Sequence, residues 1–464
     1  MPEHRPPRDV HHVQRTQVQY IIDEFARAGT PVQTEPPDWA DDRENPAPVK
    51  FLYRQDHLLV RDQDLGKITS LGDVSLKRRK VRLDRAEMVG HPVPGLALVN
   101  VPLEADVNLM AVLAQINERV GAHAVTPETV LSISIVPPPA THCPATEPDG
   151  VPAGARPLPA VAAGRCDGRG VLVAIADTGL LKKAPREHPW LHGVTGRFEP
   201  SKGPIDPADP AKPRFIPRYA GHGTFIASVV RAMAPRAEVR VGRIFELAGA
   251  CFESEVVKAL YRLMDSSPDI ISLSAGTHTW LDRGLLSFRV FIDGPLRDSH
   301  KTVLVAAAGN DGQDWRFSPA MMRGVVSVGA LASNEETRAW FTNYGDWVKV
   351  YAPGEDLVHA YAHGTYRYFE TQGRPDQPFD GMARWSGTSF STPVVAGLIA
   401  ARMSGTGETA REAAKSLLAL ARAQALPGVG PVLRPGQACL GRKHRSRCRC
   451  GRQGCGCQEY GCQE

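Results

Sequence analysis

Four polar residues of the kinds that hydrolytic enzymes use stand near glycines, where predicted strands end or predicted helices begin. They are Asp177 after the apolar run VLVAIA, His222 in AGHGT, Asn310 after TVLVAAAG, and Ser389 in WSGTSFSTP. A serine hydroxyl becomes a nucleophile when a histidine takes its proton, and a carboxylate can hold that imidazole in the required tautomer. An asparagine amide can donate to the negative charge that develops on a substrate carbonyl. Together the four residue types indicate nucleophilic catalysis by serine.

Each of these residues also has a structural interpretation when it is taken alone. Asp and Asn after strands commonly form turns, and Ser or Thr before a helix commonly caps it. A histidine between glycines is commonly a polar loop residue. Pro393 predicts a helix from about Ser389 to Met403, because proline is tolerated in a first turn, where N–H groups lack a partner inside the helix. That position would place the Ser389 hydroxyl at the positive end of the helix dipole.

Residues 165–428 have the pattern of a doubly wound α/β domain. Apolar, strand-like runs alternate with helical patterns such as SEVVKALYRLMD. Such runs predict a parallel sheet with helices on both faces, joined by right-handed crossovers. Ligands of these folds bind at the carboxyl ends of the strands, where Asp177 and Asn310 stand in the sequence. The strand-like runs are residues 171–176, 238–245, 269–275, 302–308 and 324–331.

The rest of the chain predicts four further segments. Residues 1–50 are charged and contain proline, with one amphipathic helix in VQRTQVQYIIDEFARA. Residues 51–136 combine short strand patterns with the helical pattern NLMAVLAQINERVG, which predicts a small α+β domain. Residues 137–164 are rich in Pro, Ala and Gly and predict an extended, exposed linker. Residues 429–464 form a basic, cysteine-rich tail that we expect to be disordered.

The composition is that of a globular protein. Of the 464 residues, 42% are hydrophobic and 23% are charged, and the net charge of +5 indicates no nucleic-acid or membrane partner. No apolar run is long enough to predict a membrane span. The first residues, MPEHRPPRDVHHVQRTQ, lack the apolar region of a secretory signal, so we expect a cytoplasmic protein. A misassigned start or a non-classical export route is the alternative.

The nine cysteines are unevenly distributed. Three of them, Cys143, Cys166 and Cys251, are scattered through the body of the chain, and the other six crowd the tail. The body therefore does not have the pattern of a disulfide framework. The tail CRCGRQGCGCQEYGC is interpreted either as a flexible, solvated segment or as a metal-binding one, although structural zinc sites more often use pairs of cysteines two to four residues apart.

The order Asp177, His222, Ser389 along the chain is that of one class of serine protease. The chain resembles the subtilases, the subtilisin-like serine proteases, in segments spread over roughly residues 170–400. The resemblance implies a serine endopeptidase with Ser389 as nucleophile, His222 as general base and then acid, and Asp177 orienting the imidazole. It also implies an oxyanion hole formed by Asn310 and the Ser389 N–H, and no cofactor. The matching segments are VAIADTGL, GHGTFIASVV, MAPRAEV, ISLSAG, VAAAGNDG, VVSVGA, FTNYGDWVKVYAPG and GTSFSTPVVAG.

The resemblance further implies that a protein or peptide substrate binds as an extended strand beside Ser274, Ala275 and Gly276. Two departures from better-known subtilisins modify this expectation. HGTFIASVV continues directly into VRAMAPRAEV, without the insertion that forms a calcium loop in many relatives, so we expect no metal there. Phe317 falls near a residue that is usually small at the floor of the pocket for P1, the substrate residue before the cleaved bond. We therefore expect a shallow pocket that prefers small P1 side chains.

Residues 51–136 have the size and position of the prodomain that many subtilases carry. The resemblance thus predicts a zymogen in which this domain assists folding and caps the active site until the linker is cut. A permanent regulatory or partner-binding domain is the alternative.

Other function classes also need to be considered for the whole chain. A degenerate protease that only binds peptides is not indicated, since all four chemical positions are filled. A different serine hydrolase, such as an α/β-hydrolase, is not favoured either, because Ser389 lacks the G-x-S-x-G motif and the residue order differs. A nucleic-acid or metal-binding function inferred from the tail covers too little of the chain.

Overall fold

The computed structural model describes residues 10–37, 49–76, 79–104, 107–121, 123–133, 145–200, 214–246, 248–369 and 373–439. The α-helices are α1 (Val10–Arg27), α2 (Asp62–Thr69), α3 (Leu109–Val120), α4 (Ala184–Glu187), α5 (His222–Met233), α6 (Glu253–Met264), α7 (Leu286–Phe291), α8 (Thr388–Thr406) and α9 (Ala410–Ala423). The first strands are β1 (Val32–Glu35), β2 (Phe51–Arg61), β3 (Asp73–Leu76), β4 (Arg79–Arg82), β5 (Glu87–Val93), β6 (Leu96–Asn100) and β7 (Val125–Ser132). The others are β8 (Leu172–Asp177), β9 (Thr195–Gly196), β10 (Glu238–Arg243), β11 (Ala250–Phe252), β12 (Ile270–Leu273), β13 (Val303–Ala307), β14 (Val325–Leu331), β15 (Val350–Pro353), β16 (Leu357–Tyr366) and β17 (Gln377–Trp385).

A parallel sheet of seven strands forms the centre of the larger domain, in the order β15-β14-β13-β12-β8-β10-β9. Every residue of β8, β12, β13 and β14 is buried, as expected for apolar runs covered on both faces. Alternate residues of β8 contribute to the two faces. Val173 and Ile175 join the core that contains α5 and α8, whereas Ala174 and Ala176 join the core that contains α6 and α7. The predicted α/β fold is therefore confirmed.

The strand order changes direction at β8. The chain runs from β8 to β10 on one side and then crosses to β12 on the other side. Open α/β sheets bind ligands in the crevice at the carboxyl ends of the strands where this reversal occurs. Asp177 ends β8 and Ser274 follows β12, so the topology brings two of the predicted site segments to one edge of the sheet.

The smaller N-terminal domain is built on the antiparallel strands β5-β6-β2-β7, with β1 beside β2. Helix α3 packs on this sheet through residues such as Leu113 and Ile116. The sheet continues into the larger domain, because β11 pairs with β7. Helix α1 packs over the same junction, where the rings of Phe25 and Phe252 meet edge to face at 5.0 Å. The two domains thus share one sheet and one apolar cluster.

Part of the predicted linker is hydrogen-bonded to the larger domain, although most of residues 151–164 are exposed. Residues 134–144 lie outside the described residues, but residues 145–164 run beside the antiparallel ribbon formed by β16 and β17. Leu158, for example, pairs with Val358 through backbone hydrogen bonds of 2.8 and 2.9 Å. Composition does not predict this arrangement, because its hydrogen bonds join backbone groups far apart in the sequence.

The first residues of the predicted tail are ordered against the larger domain. Val432 and Leu433 are fully buried, and a disulfide joins Cys439 to Cys166. Residues 440–464 lie outside the described residues, with the other tail cysteines. Residues 429–439, which the sequence assigns to the tail, therefore pack with the larger domain. The sequence does not indicate this, because two apolar residues and one cysteine give no periodic pattern in a segment rich in Gly and Pro.

Candidate active site

Asp177 and His222 form a hydrogen-bonded pair at the carboxyl edge of the central sheet. Asp177 is the last residue of β8, and His222 is the first residue of α5. The Nδ1–H of His222 donates to Asp177 Oδ1 over 2.7 Å, and the Thr178 N–H donates to the same oxygen over 2.8 Å. Both side chains of the pair are fully buried. In this geometry the carboxylate fixes the imidazole tautomer that carries its proton on Nδ1.

Two glycines allow the His222 backbone to approach the end of β8. Gly221 has a φ of 85°, a left-handed conformation that glycine adopts without strain. A Cβ atom on Gly223 would collide with the carbonyl oxygen of Gly179 and would lie 3.2 Å from Asp177 Oδ1. Helix α5 can therefore begin at this position only with small residues on both sides of His222.

Ser389 is the second residue of α8, and the first turn of this helix packs against the imidazole of His222. The ring centroid of Phe390 lies 5.4 Å from that of His222, and the centroid of Trp385 lies 5.6 Å away. His222 Nε2 has no hydrogen-bond partner among the described residues. The imidazole thus keeps one ring nitrogen unoccupied beside the helix start that carries Ser389.

Pro393 lies deeper in α8 than the sequence predicts. The helix begins at Thr388, so Pro393 is its sixth residue rather than part of its first turn. Proline lacks the N–H that would bond the carbonyl group four residues earlier, which belongs to Ser389. The hydroxyl of Ser274 donates to that carbonyl over 2.8 Å instead. A residue of the predicted substrate segment therefore completes the hydrogen bonding that the proline leaves open.

Asn310 follows β13 and faces the start of α8. Its Oδ1 accepts hydrogen bonds from the Thr388 backbone N–H over 2.8 Å and from the Thr388 hydroxyl over 2.9 Å. The same hydroxyl accepts from the Gly309 N–H over 3.2 Å. Because Thr388 holds the amide oxygen, the amide nitrogen is the donor that this side chain can offer to a substrate oxygen beside Ser389.

Residues 274–276 already carry an added strand. The end of β7 supplies it, because Ser132 and Gly276 exchange two backbone hydrogen bonds of 3.1 Å each. The N–H of the next residue, Ile133, donates to the Gly249 carbonyl over 2.9 Å. The N-terminal domain thus occupies the segment for which the sequence predicts an extended substrate.

Phe317 fills the space between this segment and the Asn310 loop. Its side chain is 4% exposed. A Cβ atom on Gly309 would lie 2.9 Å from Phe317 Cγ, and a Cβ atom on Gly276 would overlap the ring edge. The ring therefore lies against both glycines, where a larger residue would not fit.

A second buried histidine–aspartate pair, His278 and Asp311, is absent from the sequence predictions. His278 Nε2 lies 3.2 Å from Asp311 Oδ2, and its Nδ1–H donates to the Arg316 carbonyl over 3.0 Å. Burial by itself lowers the pKa of His278, but Asp311 and the Arg316 carbonyl outweigh burial and raise this pKa above its ordinary value. The one available sequence signal was that Asp311 directly follows Asn310.

Another serine–histidine contact joins α5 to β16. Ser228 Oγ lies 3.0 Å from His359 Nδ1 and accepts a hydrogen bond from the Trp190 indole N–H over 2.7 Å. Burial lowers the pKa of His359 to about 3, and no carboxylate opposes this effect. The contact is therefore a buried serine–histidine pair without a carboxylate, and it offers a matched control for Ser389.

Within the described ranges, no group of three or more His, Cys, Asp or Glu side chains is arranged to hold a metal ion. In the same part of the chain, no helix is long and apolar enough to cross a bilayer.

A family model described as the subtilase family matches residues 168–430, which is more than half of the chain. The chain belongs to the subtilase family. The resemblance drawn from the sequence motifs is therefore confirmed. The match includes the segments that carry Asp177, His222, Asn310 and Ser389.

Two curated relatives are serine proteases by name. The Thermophilic serine proteinase of Bacillus sp. (strain AK1) is 30% identical over 241 residues, which cover 49% of this chain and 51% of the relative. The Intracellular serine protease of Paenibacillus polymyxa is 27% identical over 256 residues, which cover 50% of this chain and 66% of the relative. This subtilase thus spans about half to two thirds of the length of these relatives.

Two solved structures are also similar to this subtilase. The prenylagaramide maturation protease PagA is 25% identical, with 54% of this chain and 82% of that chain covered and a TM-score of 0.40. A cold-adapted subtilisin-like serine proteinase is 22% identical, with 58% and 90% covered and a TM-score of 0.43.

Proposed function

We propose that this subtilase is a serine endopeptidase in which Asp177, His222 and Ser389 form the catalytic triad. The observation that carries the proposal is the buried Asp177–His222 hydrogen bond, with Nε2 of the same imidazole unoccupied beside the start of α8. A ring nitrogen in that state can take the proton of a serine hydroxyl. Family membership and the names of both curated relatives support the same reaction.

In the proposed reaction, Ser389 Oγ attacks the substrate carbonyl carbon while its proton moves to His222 Nε2. The carbonyl electrons move to the oxygen, and Asp177 stays ionised and stabilises the imidazolium. The tetrahedral intermediate then re-forms its C=O bond and breaks its C–N bond, and His222 gives its proton to the leaving amine. Water repeats the sequence on the acyl-enzyme, which releases the carboxylic acid and restores Ser389.

The proposed oxyanion hole combines the Asn310 amide with the Ser389 backbone N–H. Thr388 holds the Asn310 amide oxygen, which supports donation from the nitrogen. The Ser389 N–H belongs to the first turn of α8, where N–H groups lack intrahelical acceptors and the helix dipole favours negative charge. In subtilisin, loss of one such side-chain donor lowers kcat about 10²–10³-fold, and we expect a loss of that order for Asn310→Ala.

Fluorophosphonate labelling tests the proposed reaction. We expect the wild type to be labelled after the N-terminal domain is removed by limited proteolysis, and Ser389→Ala and His222→Ala to stay unlabelled. Ser228→Ala is the matched control, since it removes a serine in contact with a histidine but should keep the label. A wild type that is unlabelled both before and after proteolysis contradicts the proposal and favours a degenerate, peptide-binding protein.

We further propose that substrates bind as residues 130–133 do, between two strands of the larger domain. Val130 stands opposite Phe252 in the β7–β11 pairing, and Ser132 pairs with Gly276 on the other side. An extended peptide in this position adds a strand and gains backbone hydrogen bonds, which require no particular side chain. The buried ring of Phe317 supports the expectation that the P1 side chain is small.

The same pairing supports a prodomain role for the N-terminal domain. Glu128 of this domain accepts a hydrogen bond from the hydroxyl of Ser254, which lies at the start of α6. It also accepts one over 3.2 Å from Arg54 of β2. Glu253 in that helix start accepts the Thr129 N–H over 3.3 Å. Carboxylates at a helix N-terminus are favourable, so these contacts hold β7 beside the proposed catalytic groups.

Intact-mass spectrometry tests whether this domain is cleaved. Ser132 pairs with Gly276 in an antiparallel arrangement. If this register continued for two residues toward the C-terminus, position 134 would stand opposite Ser274, whose hydroxyl donates to the Ser389 carbonyl. We therefore expect self-cleavage after Ser134, upstream of the predicted linker, in the wild type but not in Ser389→Ala. If both proteins stay full length, the domain is a permanent regulator. A cut within residues 145–164 would contradict the register.

A further inference from the structure

Another buried carboxyl group, that of Glu199, lies behind the Asp177–His222 pair. Glu199 follows β9 on an irregular segment, and it is 9% exposed. Its Oε1 accepts the backbone N–H of Gly221, the residue directly before His222, over 2.9 Å. Its own backbone N–H donates to the Leu180 carbonyl over 3.1 Å, which fixes Glu199 against the segment that follows Asp177.

The hydroxyl of Thr178, the residue directly after Asp177, also faces the Glu199 carboxyl group and lowers its pKa. That hydroxyl in turn accepts the N–H of Gly223 over 3.1 Å. The carboxyl group is thus tied, directly or through Thr178, to the backbone on both sides of His222. We propose that Glu199 is a positioning residue that holds the end of β8 and the start of α5 in catalytic register. This inference rests on the proposed function of the Asp177–His222 pair.

Helix α5 needs such a residue because its N-cap has no side chain. Gly221 is left-handed, and a Cβ atom there would lie 2.8 Å from the ring of Tyr361, so Ser, Thr or Asp cannot occupy the position. The first N–H groups of a helix lack partners, and a cap usually supplies an oxygen for one of them. Glu199 supplies that oxygen from another segment, next to the residue whose position matters most.

The surroundings of Glu199 also set its charge. Burial raises the pKa of Glu199 to about 8, and the nearby Asp177 carboxylate adds to the rise, while the Gly221 hydrogen bond opposes it. A neutral carboxyl group keeps a second negative charge away from Asp177 and can donate as well as accept. Ionisation at higher pH removes both properties. The described charged or titratable residues around Glu199 are Asp177, His222, Arg218, Arg243, Glu246, Tyr20, Tyr219 and Tyr361.

Steady-state kinetics of Glu199→Ala and Glu199→Gln test the proposal, with Glu238→Gln on the exposed edge of β10 as control. We expect Glu199→Ala to lower kcat about 10–100-fold with KM changed less than about threefold, since misplaced catalytic groups cost turnover rather than binding. Glu199→Gln should recover most of that loss, because an amide reproduces the neutral carboxyl group. The wild type should show an inflection in kcat/KM near pH 8 that Glu199→Gln lacks, whereas Glu238→Gln should keep it.

Three outcomes would overturn the inference. In the first, Glu199→Ala matches Glu238→Gln in kcat. In the second, Glu199→Gln fails to recover activity and keeps the inflection of the wild type, which indicates a merely structural residue. The pH profile of Glu199→Gln decides the question alone if Glu199→Ala does not fold. In the third, a wild type without fluorophosphonate labelling shows that the proposed function itself has failed, and that result does not depend on residue 199.

Discussion

The described part of the chain buries two histidine–aspartate pairs, and only one of them is arranged for catalysis. In the first pair, His222 bonds Asp177 through Nδ1, and its Nε2 has no partner among the described residues. In the second, His278 donates from Nδ1 to a carbonyl group, and its Nε2 lies 3.2 Å from Asp311 Oδ2 as an ion pair without an aligned hydrogen bond. Both nitrogens of this ring face oxygen acceptors, and the Asp311 carboxylate and the Arg316 carbonyl raise the pKa of His278 in spite of burial, which favours the imidazolium. The state of the second nitrogen, rather than burial or a nearby carboxylate, separates a base from a structural cation.

The carboxylates of the two pairs also differ in what they hold. Asp177 is bonded by its partner histidine and by the next backbone N–H, so it acts on the imidazole. Asp311 is bonded by the side-chain amide of Asn343 over 2.5 Å, and Asn343 also bonds the Ala308 carbonyl over 3.0 Å. The second pair therefore stabilises the loop that carries Asn310. One pair is proposed to act in the reaction and the other to support it.

The largest difference is expected when each histidine is removed. Loss of the histidine of the triad lowers kcat about 10⁶-fold in subtilisin, and we expect a similar loss for His222→Ala because Ser389 then has no base. His278→Gln should lose no more than about 10²-fold, through movement of the Asn310 loop. Turnover of a peptide substrate by the two folded variants checks this. If both variants lost kcat to the same extent, the contacts of the ring nitrogens would not distinguish the catalytic histidine from the structural one.

When each aspartate is replaced by asparagine, the two losses of kcat should differ by a smaller factor than in the histidine variants. In a related triad, replacing the aspartate by asparagine costs about 10⁴ in kcat, because the amide favours the wrong imidazole tautomer, and we expect this for Asp177→Asn. Asp311→Asn keeps the shape of a side chain that does not act on a base, so its kcat should fall much less. Both variants need circular dichroism spectra like that of the wild type. A greater loss in Asp311→Asn would reverse the assignment of the two pairs.

The first pair could be predicted from the sequence and the second could not. Asp177 and His222 each stand beside glycines at the junction of a buried strand or helix, and the α/β topology brings such junctions to one edge. Asn310 and Ser389 have the same kind of local signal. His278 has no such signal, and Asp311 has only its position after Asn310, because the pair forms only after the fold brings residues 278, 311 and 343 together.

Contacts between irregular segments were also beyond sequence reasoning. The position of Glu199 depends on a backbone hydrogen bond to Leu180 and on the Gly221 N–H that its carboxyl group accepts, and such bonds leave no periodicity in side-chain types. The β7–β11 pairing has the same character: the sequence predicts two separate domains, whereas the structure joins them through one sheet. Hydrophobic periodicity predicts which elements exist, but backbone pairing between distant segments needs the assembled fold.

The second pair should also contribute to stability in a way that depends on pH. The folded-state pKa of His278 is raised above 6.5, so its contribution is fully present below about pH 6.5 and is lost as pH rises through the raised value. His278→Gln leaves Asp311 buried without its cation, which costs about 3–5 kcal/mol of unfolding free energy at low pH. Urea denaturation of wild type and variant at about pH 6 and about pH 9 measures the difference. A difference that is the same at both pH values would contradict this role.

The smallest predicted effect concerns Phe317, which packs against the second pair and borders the proposed substrate segment. Its ring packs edge-on against His278, with centroids 5.3 Å apart, and occupies the space beside Gly276 and Gly309. A P1 side chain that needs this space is excluded, so the wild type should cleave after Ala or Ser rather than after Phe or Leu. Phe317→Ala should raise the ratio of kcat/KM for P1 Phe over P1 Ala by about 10–100-fold, since one pocket side chain separates substrates by factors of this size.

A peptide library that varies only P1 measures this ratio, with the fluorophosphonate label used to count active sites. The count is needed because Phe→Ala in a core costs about 3–5 kcal/mol of stability and lowers the folded fraction. Dividing by active sites separates that loss from specificity, since unfolding lowers kcat/KM for all peptides equally. A wild type that already prefers Phe or Leu at P1 would show that the ring moves aside on binding. The His278–Asp311 pair would then support a mobile pocket floor rather than a fixed one.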